Sequence, residues 1–256
     1  MPKAVEAGAI VVDNSSAYRL NPDVPLIIPE VNPEDVKKHK GIIANPNCAT
    51  IIGLVALAPL HRYAHAKRMI VSTYQAVSGA GVNGIKELDA QIDAIRKNKE
   101  VDINTFQYQI AYNLIPQIGS FNEEGYSSEE MKMQNEGRKI LNTPKLCVNC
   151  TCVRVPIYRS HSESIFVEFE NELTVEKARE LLKDAKGVKL VDNPANNEYP
   201  MPLDTTDQDL VYVGRIRKDM SNHEHALSFW CCGDQVRKGA ATNAVQIAEL
   251  VIKTLE

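Results

Sequence analysis

The sequence predicts an α/β fold, with a parallel-type sheet at its start and a mixed sheet behind it. Three features predict it. A short β-branched run, Ile10-Val11-Val12, ends in small polar residues; a long apolar stretch of helical period begins at Thr50; and alternating runs follow one another in pairs after residue 150. With 256 residues, 44% hydrophobic and 24% charged, the chain can bury a full core as one large domain or two moderate ones.

Taken in order, Ala7 to Ser16 reads as a buried parallel strand whose C-terminal end opens into a loop. Leu26-Ile27-Ile28 and Gly41-Ile42-Ile43-Ala44 read as further short strands, in a segment punctuated by Pro22, Pro25, Pro29 and Pro33. Ile51, Ile52, Val55, Leu57, Ala58 and Leu60 suit a well-buried helix from Thr50 to about Ala66, which Pro59 is expected to bend or interrupt. Arg68 to Gln75 is a strand, and the Ser78-Gly79-Ala80-Gly81 turn leads into a helix from about Gly84 to Arg96. Ser127-Ser128-Glu129-Glu130 has the form of a capped helix start, with carboxylates favourably placed in the first turn, and that helix runs to about Leu141. Alternation at Thr151–Ile157, Glu163–Phe169, Leu210–Arg217 and Ala226–Cys232 gives the second sheet, with an amphipathic helix at Thr174–Ala185. A last helix opens at Gly239-Ala240-Ala241-Thr242-Asn243 and ends at Leu255.

A net charge of -4 and a pI near 5.9, with no basic block, offer no electrostatic basis for binding nucleic acid. No apolar run reaches the roughly 18 residues that cross a bilayer, and no basic stretch with an apolar core opens the chain, so no membrane association and a cytoplasmic location are expected. Without such a leader, the six cysteines are expected as reduced thiols. Cys147, Cys150 and Cys152 suggest a metal site, yet Cys152 lies in an alternating strand and no second ligand pair stands at a usual zinc spacing, so no metal is expected. Burial in a strand suits Cys231-Cys232.

Cys48 sits after a Pro-containing turn and just before the apolar helix. Unpaired N–H groups and the macrodipole at that helix start favour an anion, which lowers a thiol pKa and makes a nucleophile. A small buried residue packed at a turn would have the same local sequence. Taken by its neighbours in the chain alone, His161 reads as an exposed polar residue in a loop.

Asn45-Pro46-Asn47-Cys48-Ala49-Thr50, then Ser72 to Gly81, then Cys152-Val153-Arg154-Val155-Pro156 leading to Ser160-His161-Ser162-Glu163, resembles the aspartate-semialdehyde dehydrogenases of the bacterial type. The motifs fall in that family's order and continue through Gly214–Asp219 and Lys238-Gly239-Ala240-Ala241 to the last helix. The resemblance implies a remnant of a Rossmann-type parallel sheet (1–47), a glyceraldehyde-3-phosphate-dehydrogenase-like α+β catalytic and dimerisation domain (48–236), and a C-terminal helix (237–256) returning to the cofactor domain. No Gly-x-Gly-x-x-Gly follows the first strand, so the turn that cradles pyrophosphate in that family is expected to be missing from this chain.

Carried over at matching positions, the resemblance makes Cys48 the acyl-accepting nucleophile, Gln75 the amide that positions the tetrahedral intermediate, and His161 the acid/base, a role imidazole fills near neutral pH. Arg154 becomes the clamp on the substrate carboxylate, Glu129 the receptor for its α-amino group, Lys132 and Arg19 the cations at the phosphate position, and Asn47 a further substrate contact. Ser78, Gly79 and Asn243 fall near the nicotinamide. Glu129 and Lys132, three apart, share a helix face, although an exposed ion pair has the same spacing. The implied activity is NADPH-dependent reductive dephosphorylation of L-aspartyl 4-phosphate, with NADP(H) as cofactor and a homodimer as the assembly. Two alternatives stand beside it. One is a non-catalytic fragment or a subunit that needs a separate cofactor half. The other is an N-acetyl-γ-glutamyl-phosphate reductase, against which Asn47 before the cysteine argues, because that family has Gly there.

Overall fold

A computed structural model describes residues 2–221 and 225–255. A single helical turn, Pro2–Glu6 (α1), precedes two three-residue strands, Val11–Asp13 (β1) and Ile42–Ala44 (β2), which pair in parallel with Val11 opposite Ile42. The expected strand at Leu26–Ile28 is reduced to one parallel bridge from Leu26 to Ala44, with Ile27 N–H donating to the Ala44 carbonyl at 3.2 Å. Pro25 and Pro29 on either side have no N–H to extend a ladder, so this run contributes buried side chains rather than a full strand.

Cys48–Ala64 (α2) runs unbroken through Pro59. Twelve of its residues are buried, and this burial outweighs the proline penalty of about 3 kcal/mol that local sequence predicts. Ala66–Ala76 (β3) leads through a 3₁₀ turn at Val77–Ala80 into Val82–Arg96 (α3). After an irregular segment comes Ser128–Ile140 (α4), whose start is capped as expected, N-cap Ser127 forming a capping box with Glu130. Cys147–Val155 (β4), His161–Phe169 (β5) and Val175–Lys183 (α5) follow. Two elements without a sequence signal, Val188–Leu190 (β6) and Pro202–Thr205 (α6), precede Val211–Lys218 (β7) and Ala226–Gly233 (β8). The last helix is entered through a π-helical segment at Arg237–Ala241, where the sequence suggests plain α-helix, and continues as Thr242–Leu255 (α7).

The mixed sheet has the order β4-β3-β5-β8-β7-β6. β3 is its hinge, parallel to β4 with Gln75 opposite Arg154, and antiparallel to β5 with Tyr74 opposite Ser162. That register brings three of the expected site residues to the same end of three adjacent strands. α2 packs on β5, β7 and β8, and α4 on β4 and α2. A smaller apolar cluster ties Ile27, Val36 and Ile43 to Ile247 and Val251, so α7 returns to the β1–β2 unit. No helix among the described residues is long and apolar enough to cross a membrane.

Candidate active site

Asn47 caps α2, its side-chain oxygen accepting from Ala49 N–H (3.1 Å) and Thr50 N–H (3.3 Å), and so sets Cys48 as the first helical residue. The rest of Asn47 is also held. Its N–H donates to Glu136 Oε2 at 2.7 Å and its Nδ2 to Glu129 Oε1 at 2.9 Å. Across the cysteine, Gly239 packs bare backbone; a Cβ there would lie 3.0 Å from Cys48 Cβ.

From Glu129 the contacts run on. Gln75 Nε2 donates to Glu129 Oε1 (3.2 Å) and lies 3.4 Å from His161 Nε2, while Thr73 Oγ1 donates to Gln75 Oε1 (3.0 Å). Ala76 N–H donates to His161 Nδ1 at 3.1 Å, which leaves the proton of the neutral ring on Nε2. Arg154 is buried, with Nη1 donating to the Ala76 carbonyl at 2.6 Å. Gly79 lies beside both groups, since a Cβ on it would meet Arg154 Nη1 at 2.6 Å and His161 Cε1 at 3.2 Å. Lys132 pairs with Glu129 at 3.0 Å. Arg19 and Lys132 line one cavity of about 370 Å³ together with Ser16, Asn122 and Glu136.

Burial dominates the titration of these groups. It pushes the Cys48 thiol up to about 12, with the Glu129 carboxylate adding to the effect, against a backbone hydrogen bond from Ala49 and the charge of Arg154. The expectation that the helix start lowers this pKa is therefore corrected: desolvation and a nearby anion outweigh the dipole. His161 is wholly buried as the first residue of β5, not exposed in a loop, and burial with the neighbouring Arg154 drives it down to about 3. It is a neutral imidazole at physiological pH. Burial works against the charge on Glu129, yet Lys132, Asn47 and Gln75 together hold its carboxyl below the usual range. Burial likewise lowers Arg154, which remains charged.

Two expected contacts have their polar atoms engaged within the protein. Asn243 is fully buried; its Nδ2 donates to the Ile27 carbonyl and Asn45 Oδ1, and its Oδ1 accepts from Lys238 Nζ at 2.9 Å. Among the described residues it reaches the site through Asn45, two residues before Asn47. All three guanidinium nitrogens of Arg19 have partners, Asn45 O, Asn14 O and Glu136, although the group still borders the cavity. Ser78 accepts from Gln235 Nε2, and the same Gln235 accepts Ser160 N–H at 2.8 Å.

Sequence reasoning missed several of these supports. Glu136 lies seven residues after Glu129, two turns along one helix face, a spacing that could have found it. Lys238, buried against Glu30 (2.6 Å), Asn243 and Gln246 (2.6 Å), had no such signal, because its charge partner Glu30 is 208 residues away in the chain. Glu163 is fully buried against α2 at Gly53, neither carboxylate oxygen hydrogen-bonded among the described residues, and burial pushes its carboxyl well above the usual range.

Comparison with known proteins fits this arrangement. Residues 57–238 match the model of the semialdehyde dehydrogenase dimerisation domain, and residues 1–39 match that of the semialdehyde dehydrogenase NAD binding domain. The aspartate-semialdehyde dehydrogenase of Aquifex aeolicus is 55% identical over 98% of the chain and 75% of its own length. The chain belongs to the aspartate-semialdehyde dehydrogenase family. The family's enzyme from Bacillus subtilis is 48% identical over 98% of this chain and 75% of its own. Among solved structures, aspartate semialdehyde dehydrogenase II of Vibrio cholerae complexed with ASA superposes with a TM-score of 0.95 at 45% identity, covering 98% of this chain and 75% of that one. The Candida albicans enzyme with NADP gives 0.73 at 28% identity, over 98% and 72%. A short Rossmann-like parallel sheet and a mixed catalytic and dimerisation sheet are thus shared with the family's fold.

Proposed function

We propose that the chain catalyses the NADPH-dependent reductive dephosphorylation of L-aspartyl 4-phosphate to L-aspartate 4-semialdehyde, in the biosynthesis of lysine, threonine and methionine. One observation carries the reading. A cysteine at a helix head capped by Asn47, a Glu129 carboxylate that accepts from both Asn47 and Gln75, a neutral buried imidazole whose Nε2 lies 3.4 Å from Gln75, and a buried guanidinium without an ion-pair partner among the described residues lie together.

Cys48 Sγ attacks the acyl carbon and phosphate leaves, giving a thioester on Cys48. Arg154 takes the substrate α-carboxylate in a bidentate grip, and Glu129 receives the α-ammonium, for which its depressed pKa keeps it anionic. Asn47 and Gln75 hold Glu129 in place for that contact. Lys132 and Arg19 offer positive charge to the phosphate in the cavity they share. His161, the acid/base, presents its Nε2–H to the oxygen of the intermediate.

The bare backbone at Gly79, beside His161 and Arg154, suits close approach of a flat nicotinamide ring, with Ser78 next to it; Asn243, the other expected cofactor contact, is held against Asn45 and Ile27. When bound there, NADP(H) supplies the hydride chemistry. Residues 1–47 with 237–256 are the cofactor side, residues 48–236 the catalytic and dimerisation side, and the working assembly is a homodimer in the cytoplasm.

The test is phosphate-dependent reduction of NADP when the purified chain is mixed with L-aspartate semialdehyde and phosphate. Cys48→Ala should abolish acyl-enzyme formation while leaving the fold intact. Undiminished labelling of Cys48→Ala by a thiol-reactive substrate analogue would sink the assignment.

A further inference from the structure

Arg154 makes no ion pair among the described residues, yet its guanidinium does not stand alone. The ring of Phe106 lies 5.9 Å from Arg154 Cζ, within the reach of a cation–π contact. Phe106 belongs to the long connection between α3 and α4, which has no helix or strand of its own. A segment of that kind would ordinarily wander.

This one is tied down at close intervals by a single face of α3. The buried Glu87 carboxylate accepts from the backbone N–H groups of Asn104 (3.2 Å), Thr105 and Phe106 (3.4 Å). One turn on, the buried Gln91 accepts from Ile110 (2.8 Å) and Ala111 (3.0 Å) and donates to the Asp102 carbonyl (3.0 Å). One turn back, Gly84 makes room, since a Cβ there would lie 2.2 Å from the Val77 carbonyl oxygen and 3.1 Å from Phe106 Cζ. Positions 84, 87 and 91 share a helix face, so this surface of α3 holds the backbone of 102–111 in one place. Val77 and Leu88 close the apolar side together with Ile110, Ala111 and Ile115.

The choice of an aromatic neighbour has a consequence for anion binding. A protein carboxylate beside Arg154 would stabilise its buried charge but would also compete with an incoming carboxylate. A ring face stabilises the cation and offers no atom to the fork; among the described residues only Nη1 is engaged, by the Ala76 carbonyl, so Nε and Nη2 are left for a ligand. We propose that Phe106 is a specificity-determining positioning residue: its ring, held by Glu87 and Gln91, sets the Arg154 guanidinium for the substrate carboxylate and makes the 102–111 segment a wall of the substrate site. This rests on the reading of Arg154 as the carboxylate clamp.

The experiment measures, in the full chain, the concentration of L-aspartate semialdehyde that halves alkylation of Cys48 by iodoacetamide, followed on the Cys48 peptide by mass spectrometry. It needs no turnover. Phe106→Leu should raise that concentration by about 3- to 10-fold, the range of a partly desolvated cation–π contact, and Phe106→Tyr, which keeps the ring, should stay within about twofold of wild type. Each protection curve is referred to that variant's own alkylation without semialdehyde. Wild-type protection in Phe106→Leu overturns the inference, as does an equal loss in both variants. Arg154→Leu separates the two readings. If it keeps wild-type protection, the clamp falls and this inference with it; if it loses protection while Phe106→Leu does not, the clamp stands and the role of the ring falls.

Discussion

Asn47 holds three jobs at once, and replacing it separates them. Asn47→Ala removes the cap on Ala49 and Thr50, costing about 1 kcal/mol, and the hydrogen bond to the buried Glu129 carboxylate, costing about 1.5 kcal/mol at the low end for a charged partner that keeps Lys132 and Gln75. The sum of about 2.5 kcal/mol corresponds, for a chain of this size, to a fall in melting temperature of about 5–10 °C. Asn47→Asp keeps the cap oxygen but replaces the Nδ2 donor, 2.9 Å from Glu129, with a second carboxylate oxygen. The cap survives, and the added negative charge beside Cys48 raises an already elevated thiol pKa further. Alkylation of Cys48 at pH 8 should slow by about 3- to 10-fold in Asn47→Asp. Calorimetry reads the first effect and peptide-resolved alkylation the second. A melting temperature of Asn47→Ala within about 1 °C of wild type, or unchanged alkylation in Asn47→Asp, would refute the reasoning.

Glu129→Gln works in the opposite direction. Burial comes first and Glu129 second in raising the Cys48 pKa, so removing this carboxylate should speed alkylation at pH 8, and a slower reaction would contradict the electrostatic account. His161 has its folded pKa depressed to about 3 from an unfolded value near 6.5, so the unfolded chain binds the extra proton between those limits. Its contribution is fully present above pH 6.5 and lost as pH falls toward 3, by up to about 1.4 kcal/mol per pH unit, and His161→Gln should flatten the acid limb of a stability curve measured with urea. Lys238→Met leaves Glu30 buried without its cation and should cost about 3–5 kcal/mol, with Glu30→Leu added to it recovering part of the loss; a double variant less stable than the single would exclude this pairing as the cause. Arg154→Lys loses the planar fork and should raise KM for aspartate semialdehyde strongly, whereas an unchanged KM would count against the clamp.

Local physics in the sequence was enough for most elements. The capped start at Ser127–Glu130, the helical period after Thr50 and the alternation of the later strands are short-range signals, and the helices and strands stand where those signals put them. The motifs around Cys48, Gln75, Arg154 and His161 carried the family, because each is a run of neighbours that can be recognised without knowing what it touches. Local signals failed where burial decides. Pro59 stays inside α2 because the helix is buried nearly all round, and Leu26–Ile28 stays out of the sheet because its flanking prolines have no ladder to join.

The protonation states were likewise a property of the tertiary structure. A helix start argues for a thiolate at Cys48, and a polar loop argues for an ordinary imidazole at His161. Desolvation by a core that local sequence does not reveal reverses both. The same holds for the supports. Glu136 reaches Asn47 across 89 residues, Lys238 reaches Glu30 across 208, and Glu87 pins the backbone that brings Phe106 to Arg154. Hydrogen bonds and charges act over a few ångströms in space, so sequence alone determines which groups exist and which local turns they favour, while only the folded chain decides which of them meet.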